Sequence, residues 1–89
     1  MTRYLVLTLR RPQFDPSVIP DHYAHLALLR EQGRLELAGP FTDRTGGAYV
    51  LRADDLDAAQ AIAHGDPLHA TGASEVRVYE WAATACATR

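Results

Sequence analysis

Residues 4–9 constrain the fold more than any other part of the sequence, because they are apolar on both alternating faces. Successive side chains of a β-strand point to opposite sides of the sheet. The run therefore divides into two sets, Tyr4, Val6 and Thr8 on one face and Leu5, Leu7 and Leu9 on the other. A strand that is apolar on both faces is typical of a sheet centre. We predict a central strand with cover on both sides.

The rest of the chain alternates between helical and extended patterns. A loop rich in proline leads to a helix that begins between Ser17, a candidate cap, and Pro20, and that ends at Gly33. The other predicted elements are a half-exposed strand over 34–38, a strand over 48–52 after a turn over 42–47, a helix capped by Asp54 and stopped by Gly65, a short helix starting at Asp66-Pro67, and a strand over 75–81. The predicted order is βαββαβ.

This order favours a ferredoxin-like α+β sandwich, with the first and third strands central and both helices on one face. Two helices cover one face of a four-stranded sheet, so one set of side chains on the first strand needs a second cover. The pattern leaves open which set that is. A second copy of the chain would supply it, and we expect a homodimer. Residues 1–82 are expected to form a single domain and residues 83–89 a flexible C-terminal tail.

The inventory of reactive side chains is short. There is no Lys, which excludes Schiff-base chemistry and the P-loop lysine. The two Ser residues, Ser17 and Ser74, do not stand in the G-x-S-x-G turn of a serine hydrolase. Four His residues and eleven carboxylates are therefore the main acid–base groups.

Charge, cysteine content and hydropathy indicate which partners and which cellular location to expect. The net charge is −2, and apart from Arg10 and Arg11 the Arg residues are scattered, so nucleic acid is not an expected partner. The run 47–50 resembles part of an RNA-recognition strand but offers one aromatic side chain, Tyr49, for base stacking. Cys86 is alone, and no apolar run approaches about 20 residues. We expect a cytoplasmic protein that is not bound to membranes.

His22 and His25 lie three residues apart in the first helix, on one helical side. His22 falls in the first turn, where the positive end of the helix dipole favours a neutral imidazole. Either His could instead be an ordinary solvated side chain. Zinc sites need three or four protein ligands, and two His residues are not a site, although His64, His69 or Asp66 could complete one by folding. We predict no metal, and we expect no cofactor. Asp66 before Pro67 is by itself a common helix start.

The ordered set of motifs resembles the YciI-like, or YCII-related domain, family. The resemblance runs over most of the chain and rests on these segments: 22–26 followed by Gly33, 37–41, 46–48, Ala58-Ala59, and 66–68 followed by Gly72. It implies a dimeric ferredoxin-like fold of the muconolactone-isomerase type. It also implies a small pocket centred on a His–Asp pair, which matches His22 and Asp66 here. One branch of the family is similar to chlorinated-hydroquinone dehydrochlorinases. The Arg that usually precedes the family's His is absent, since residues 18–20 are Val-Ile-Pro.

Together the residues and the resemblance predict a lyase or isomerase without a cofactor. Asp66 would orient His22, and His22 would move a proton on a small, aromatic or lactone substrate. The expected pocket walls are Tyr4, Gly39, Pro40, Phe41 and Trp81, with backbone amides after Gly39-Pro40 as donors. The alternative is a small-ligand-binding or assembly module without catalysis, because a ferredoxin-like fold serves many functions.

Overall fold

The computed structural model describes residues 1–84 and contains a four-stranded sheet with three helices. The strands are β1 (Thr2–Arg10), β2 (Leu35–Pro40), β3 (Gly46–Ala53) and β4 (Ser74–Glu80). The helices are α1 (Ile19–Glu31), α2 (Leu56–His64) and α3 (Pro67–Ala70), and a short 3-10 turn spans Pro16–Val18. No helix in this part of the chain is both long enough and apolar enough to cross a membrane.

The strands lie in the order β2-β3-β1-β4, and all neighbouring pairs are antiparallel. This is a ferredoxin-like α+β fold, with β1 and β3 in the centre as the apolar run predicts. Residue pairs fix the faces: Val6 lies opposite Tyr49 on β3 and Val78 on β4, so these three side chains share one side of the sheet.

The helices cover that side. The core there consists of Tyr4, Val6, Leu26, Leu29, Tyr49, Leu51, Ala53, Ala59 and Ala63. A smaller cluster of Val18, Leu68 and Ala73, with Phe14 packed against it, closes the end of the sheet where β1 finishes. The set of β1 side chains that needs a second cover is therefore Leu5, Leu7 and Leu9.

These leucines lie on the face without helices, which we call the open face. Leu5 stands opposite Val50 on β3 and Tyr79 on β4, and Val50 in turn stands opposite Leu37 on β2. Leu37 is 71% exposed and Tyr79 is 47% exposed. The open face thus carries an apolar row across all four strands, whereas Arg77 and Glu75 of β4 stand opposite Leu7 and Leu9.

Several element boundaries differ from the sequence prediction. Ser17 does not cap α1: the carboxylate of Asp15 caps the preceding 3-10 turn by accepting from the Ser17 amide, and α1 begins on that turn without a side-chain cap. Asp55, not Asp54, caps α2, because its side chain reaches the Ala58 amide at 2.8 Å. Residues 85–89 of the predicted tail, with Cys86, lie outside the described residues.

The strand β3 begins earlier than predicted, at the two glycines assigned to the turn. A Cβ on Gly47 would come within 2.7 Å of the Gly39 carbonyl oxygen, and one on Gly46 within 1.9 Å of the Thr8 carbonyl oxygen. Both neighbours are backbone atoms of paired strands, so the clash could not be relieved by a change of side-chain rotamer. The glycines therefore allow β3 to approach β1 and β2 closely at one end of the sheet.

Candidate active site

His22 is the fourth residue of α1, and its ring points into the end of the sheet formed by the last residues of β1 and the first of β3 and β4. The side chain is 15% exposed. Its Nδ1 lies 2.8 Å and 3.0 Å from the two carboxylate oxygens of Asp66. An imidazole in this position has Nδ1 as a hydrogen-bond donor to the carboxylate and keeps Nε2 free for another partner.

Asp66 lies in the turn between α2 and α3, and its side chain is completely buried. The turn folds back because α2 stops at Gly65, and the Asp66 amide then donates to the Ala63 carbonyl oxygen at 3.2 Å. One carboxylate oxygen also accepts from the Leu68 amide at 2.9 Å, which caps α3. Asp66 is therefore a helix cap and the partner of His22 at the same time. From the sequence alone, these two roles are alternative interpretations of the residue.

A small open cleft of about 60 Å³ lies beside this pair. Apolar side chains form part of its wall, among them Ile19, Leu26 and Leu68. The polar residues that line it are Thr8, Arg10, His22, Tyr23, Tyr49 and Ser74. The arrangement of a mainly apolar wall with a few polar groups is typical of a small-molecule site.

Two buried hydroxyl groups in the cleft wall have no hydrogen-bond partner within residues 1–84. They belong to Tyr49, which is 2% exposed, and to Ser74, which is 1% exposed. By contrast, the Thr8 hydroxyl in the same wall donates to the Gly47 carbonyl oxygen at 3.2 Å. Buried polar atoms usually have a hydrogen-bond partner. Two hydroxyls without one, both on residues that line the cleft, therefore indicate that a ligand or water supplies their partners.

Burial, and secondarily the charge of Asp66, raises the pKa of the Tyr49 phenol well above its ordinary value. The phenol therefore remains protonated throughout the physiological range. A neutral phenol can donate a hydrogen bond to an oxygen on which negative charge develops.

The structure brings four of the seven predicted site residues to the cleft: His22, Asp66 beneath it, Gly39 and Pro40. The Phe41 amide is not a free donor there, because it donates to the Gly46 carbonyl oxygen at 2.7 Å and closes the β2–β3 hairpin.

Tyr4, Phe41 and Trp81 do not line the cleft. Tyr4 is 1% exposed and lies in the core near the start of β1, whereas the cleft is at the end of that strand. Trp81 follows β4 at the same far end, where its amide donates to the Arg3 carbonyl oxygen. Because β1 and β4 are antiparallel, the start of β1 and the end of β4 lie together, and both are at the end of the sheet away from the cleft.

Sequence reasoning missed Arg10, Tyr49 and Ser74 as cleft residues. Strand register is the signal that could have found them. Thr8 and Arg10 are two residues apart and therefore share one face of β1, and antiparallel pairing places Ser74 directly opposite Arg10. That register depends on loop lengths that the sequence pattern does not fix.

The other histidines lie outside the cleft. His25 has its Nε2 buried without a partner in the described part of the chain, and its ring lies near Gly65. His64 and His69 stack on each other with ring centroids 4.2 Å apart. Within residues 1–84, no three His, Cys, Asp or Glu side chains converge in an arrangement that could hold a metal ion.

Comparison with known proteins gives matches over most of the chain. The sequence pattern of the YCII-related domain matches residues 2–82. The uncharacterized protein YjpA of Bacillus subtilis is 47% identical over 81 residues, which cover 91% of this chain and 95% of that protein. Protein YciI of Escherichia coli is 39% identical over 69 residues, covering 66% of this chain and 70% of the relative.

A solved structure has a similar fold. It is TftG of Burkholderia phenoliruptrix, a 5-chloro-2-hydroxyhydroquinone dehydrochlorinase in complex with 2,5-dihydroxybenzoquinone. The TM-score is 0.70, with 89% of this chain and 92% of that chain covered, and the sequences are 23% identical. At this identity the similarity supports the fold.

Proposed function

The chain belongs to the YCII-related domain family, and we propose that it is a small lyase or isomerase in which His22 transfers a proton and Asp66 orients the imidazole of His22. The observation that carries the proposal is the contact of His22 Nδ1 with both oxygens of a fully buried carboxylate, in the wall of a cleft. This contact fixes the tautomer and leaves Nε2 as the base.

In the lyase reaction, Nε2 takes a proton from the substrate. The electron pair of the broken bond forms a new double bond, and the leaving group departs with its own bonding electrons, as chloride from a chlorinated ring. In the isomerase reaction, the same imidazolium returns the proton to another atom of the substrate. The charged imidazolium that forms in either case is stabilised by the Asp66 carboxylate. The protonated Tyr49 phenol would stabilise negative charge on a substrate oxygen.

The proposed substrate is a small ring compound with oxygen substituents. Support comes from the limited size of the cleft, from its apolar wall and from the two hydroxyls that lack partners. The dehydrochlorinase TftG, whose structure holds an oxygen-substituted quinone ring, has the same fold.

We also propose that the protein is a homodimer formed through the open face. The leucines on β1, together with Leu37 and Tyr79, form an apolar surface that no helix of residues 1–84 covers. Water contact with such a surface is unfavourable, and a second copy would remove it.

The catalytic proposal is tested with chlorinated hydroquinones and lactones as substrates, by measuring chloride release and ring absorbance. His22→Gln should lower kcat/KM by about 10²–10⁴, the usual range for a general base. Asp66→Asn keeps an oxygen for the Leu68 amide but loses the anionic partner of His22. Adding it to His22→Gln should cost little more, because the two residues act as a unit.

His25→Gln is the matched control, since it removes an imidazole from the same helix outside the cleft. It should retain the activity of the unchanged protein. Full activity of His22→Gln would refute the catalytic proposal. An absence of turnover, with His22→Gln and Asp66→Asn weakening ligand binding by independent amounts, would identify a binding module instead.

A further inference from the structure

Arg10 is a cation at the cleft that the proposed chemistry does not use. It is the last residue of β1, and its guanidinium lies 4.2 Å from the centre of the Phe14 ring, which holds it over the cleft wall. No carboxylate of residues 1–84 forms an ion pair with it. An Arg that is positioned by an aromatic ring and has no anionic partner is suited to bind an anion from solution.

Ser74 stands directly opposite Arg10, at the start of β4. Directly opposed residues of antiparallel strands have Cβ atoms about 4.5–5.5 Å apart, so the two side chains occupy one place on the helix side of the sheet. The Ser74 hydroxyl is buried and unpartnered, as described above. A buried hydroxyl without a partner is unfavourable, and an oxygen atom of a ligand beside Arg10 would satisfy it.

We propose that Arg10 and Ser74 form a subsite for the carboxylate of a small organic acid, with the apolar body of that acid lying toward Ile19 and Leu26. This inference rests on the proposed function, because it assigns the substrate class of the same cleft. The guanidinium would hold the carboxylate by charge-assisted hydrogen bonds, and the Ser74 hydroxyl would donate to one of its oxygens.

Charge favours a carboxylate over a phosphate. Among residues 1–84 a single Arg lines the cleft, and the Asp66 carboxylate lies beneath its other side. One guanidinium balances one negative charge, whereas the second charge of a phosphate would be left without a cation in a region that already holds an anion.

The test measures binding of two acids and their neutral counterparts by calorimetry and NMR: benzoate against benzamide, and crotonate against crotonamide. Each pair has nearly the same shape and differs in charge. The unchanged protein should bind an acid roughly tenfold more tightly than its amide, and Arg10→Gln should remove this preference. Ser74→Ala should weaken acid binding by up to about tenfold while leaving amide binding nearly unchanged.

Arg11→Gln is the matched control, because Arg11 is the next residue, carries the same charge and does not line the cleft. It should bind both acids like the unchanged protein. Equal loss in Arg10→Gln and Arg11→Gln, equal affinity for acid and amide, tighter binding of inorganic phosphate than of benzoate, or no acid binding would each overturn the inference.

The same measurements separate this inference from the catalytic proposal. Acid binding that depends on Arg10 and survives His22→Gln, in a protein without turnover, would support the subsite and refute the proposed function. Turnover that is lost in His22→Gln, in a protein that binds benzoate and benzamide equally, would support the proposed function and refute the subsite.

Discussion

Tyr49 is a single residue whose ring stabilises the fold while its hydroxyl group destabilises it. Its ring belongs to the core, while its hydroxyl is buried beside the cleft without a partner in the described residues. A hydroxyl that gives up water and gains no hydrogen bond destabilises the folded state by about 1–3 kcal/mol. A ligand or water in the cleft would supply the missing partner, and the hydroxyl therefore serves the cleft and not the core.

We predict that Tyr49→Phe folds at least as stably as the unchanged protein, with a gain of up to about 1 kcal/mol in the free energy of unfolding. Activity on the substrates above should fall, because the substrate oxygen loses a donor. Urea denaturation and kcat/KM on one preparation check both. Tyr23→Phe, at a ring that is 51% exposed, should leave stability unchanged. A clear loss of stability in Tyr49→Phe would contradict the assignment of an unpartnered hydroxyl.

At the scale of the element, Glu36 connects three strands. From β2 its carboxylate accepts hydrogen bonds from Arg52 on β3 at 2.6 Å and from Arg3 on β1 at 2.8 Å. These hydrogen bonds, that of Arg52 first, hold the pKa of Glu36 below its ordinary value of 4.5. The network joins the edge strand β2 to the centre of the sheet at the end far from the cleft.

This network predicts a pH-dependent contribution to stability. Because the pKa of Glu36 is lower in the folded than in the unfolded chain, its contribution is present above pH 4.5 and is lost as the pH falls through the folded pKa. Glu36→Gln should therefore unfold at lower temperature than the unchanged protein at pH 7, and the difference should disappear in acid. High salt should narrow it, since both Arg side chains are partly exposed.

Thermal unfolding at several pH values measures the effect of Glu36→Gln. Glu31→Gln, which changes the net charge equally at the exposed end of α1, serves as the control. The two variants should differ at neutral pH. A gap for Glu36→Gln that persists unchanged below pH 4 would show that shape, not charge, is what the carboxylate contributes.

At the scale of the whole molecule, the two faces of the sheet are unlike. One side packs on α1 and α2, whereas no helix within residues 1–84 covers the leucines of the open face. The edge of this apolar row is the most exposed part, with Leu37 at 71%. Such a surface in one chain is typical of a protein that associates.

We predict a homodimer, seen by light scattering at micromolar concentration as about twice the mass of one chain. Leu37→Glu should shift the protein toward monomer, because a charge at this place would be buried in the interface. Leu28→Glu puts the same charge on the outer side of α1, at a leucine that is 53% exposed, and should leave the dimer intact. A monomer at high concentration, or equal effects of the two substitutions, would refute association through the open face.

The order of elements could be predicted because each depends on local signals, such as the two-sided apolar pattern of β1 or the stop at Gly65. Local signals do not predict the contact of His22 with Asp66, because the two residues are 44 positions apart in the sequence. The contact depends on how the turn after α2 folds back. The family resemblance supplied that pair. Residue type alone predicts Trp81 and Tyr4 as pocket walls, whereas strand direction puts them at the other end of the sheet.

The double task of Asp66 has an evolutionary consequence. Its carboxylate is needed by α3 whether or not His22 does any chemistry, so selection for stability alone would retain it. His22 caps nothing and its ring is partly open to solvent, so it could be exchanged with little harm to folding. Among descendants of such a chain, an aspartate at this turn would say little about activity. The residue at position 22 would be the better indicator of whether a related protein has retained the reaction.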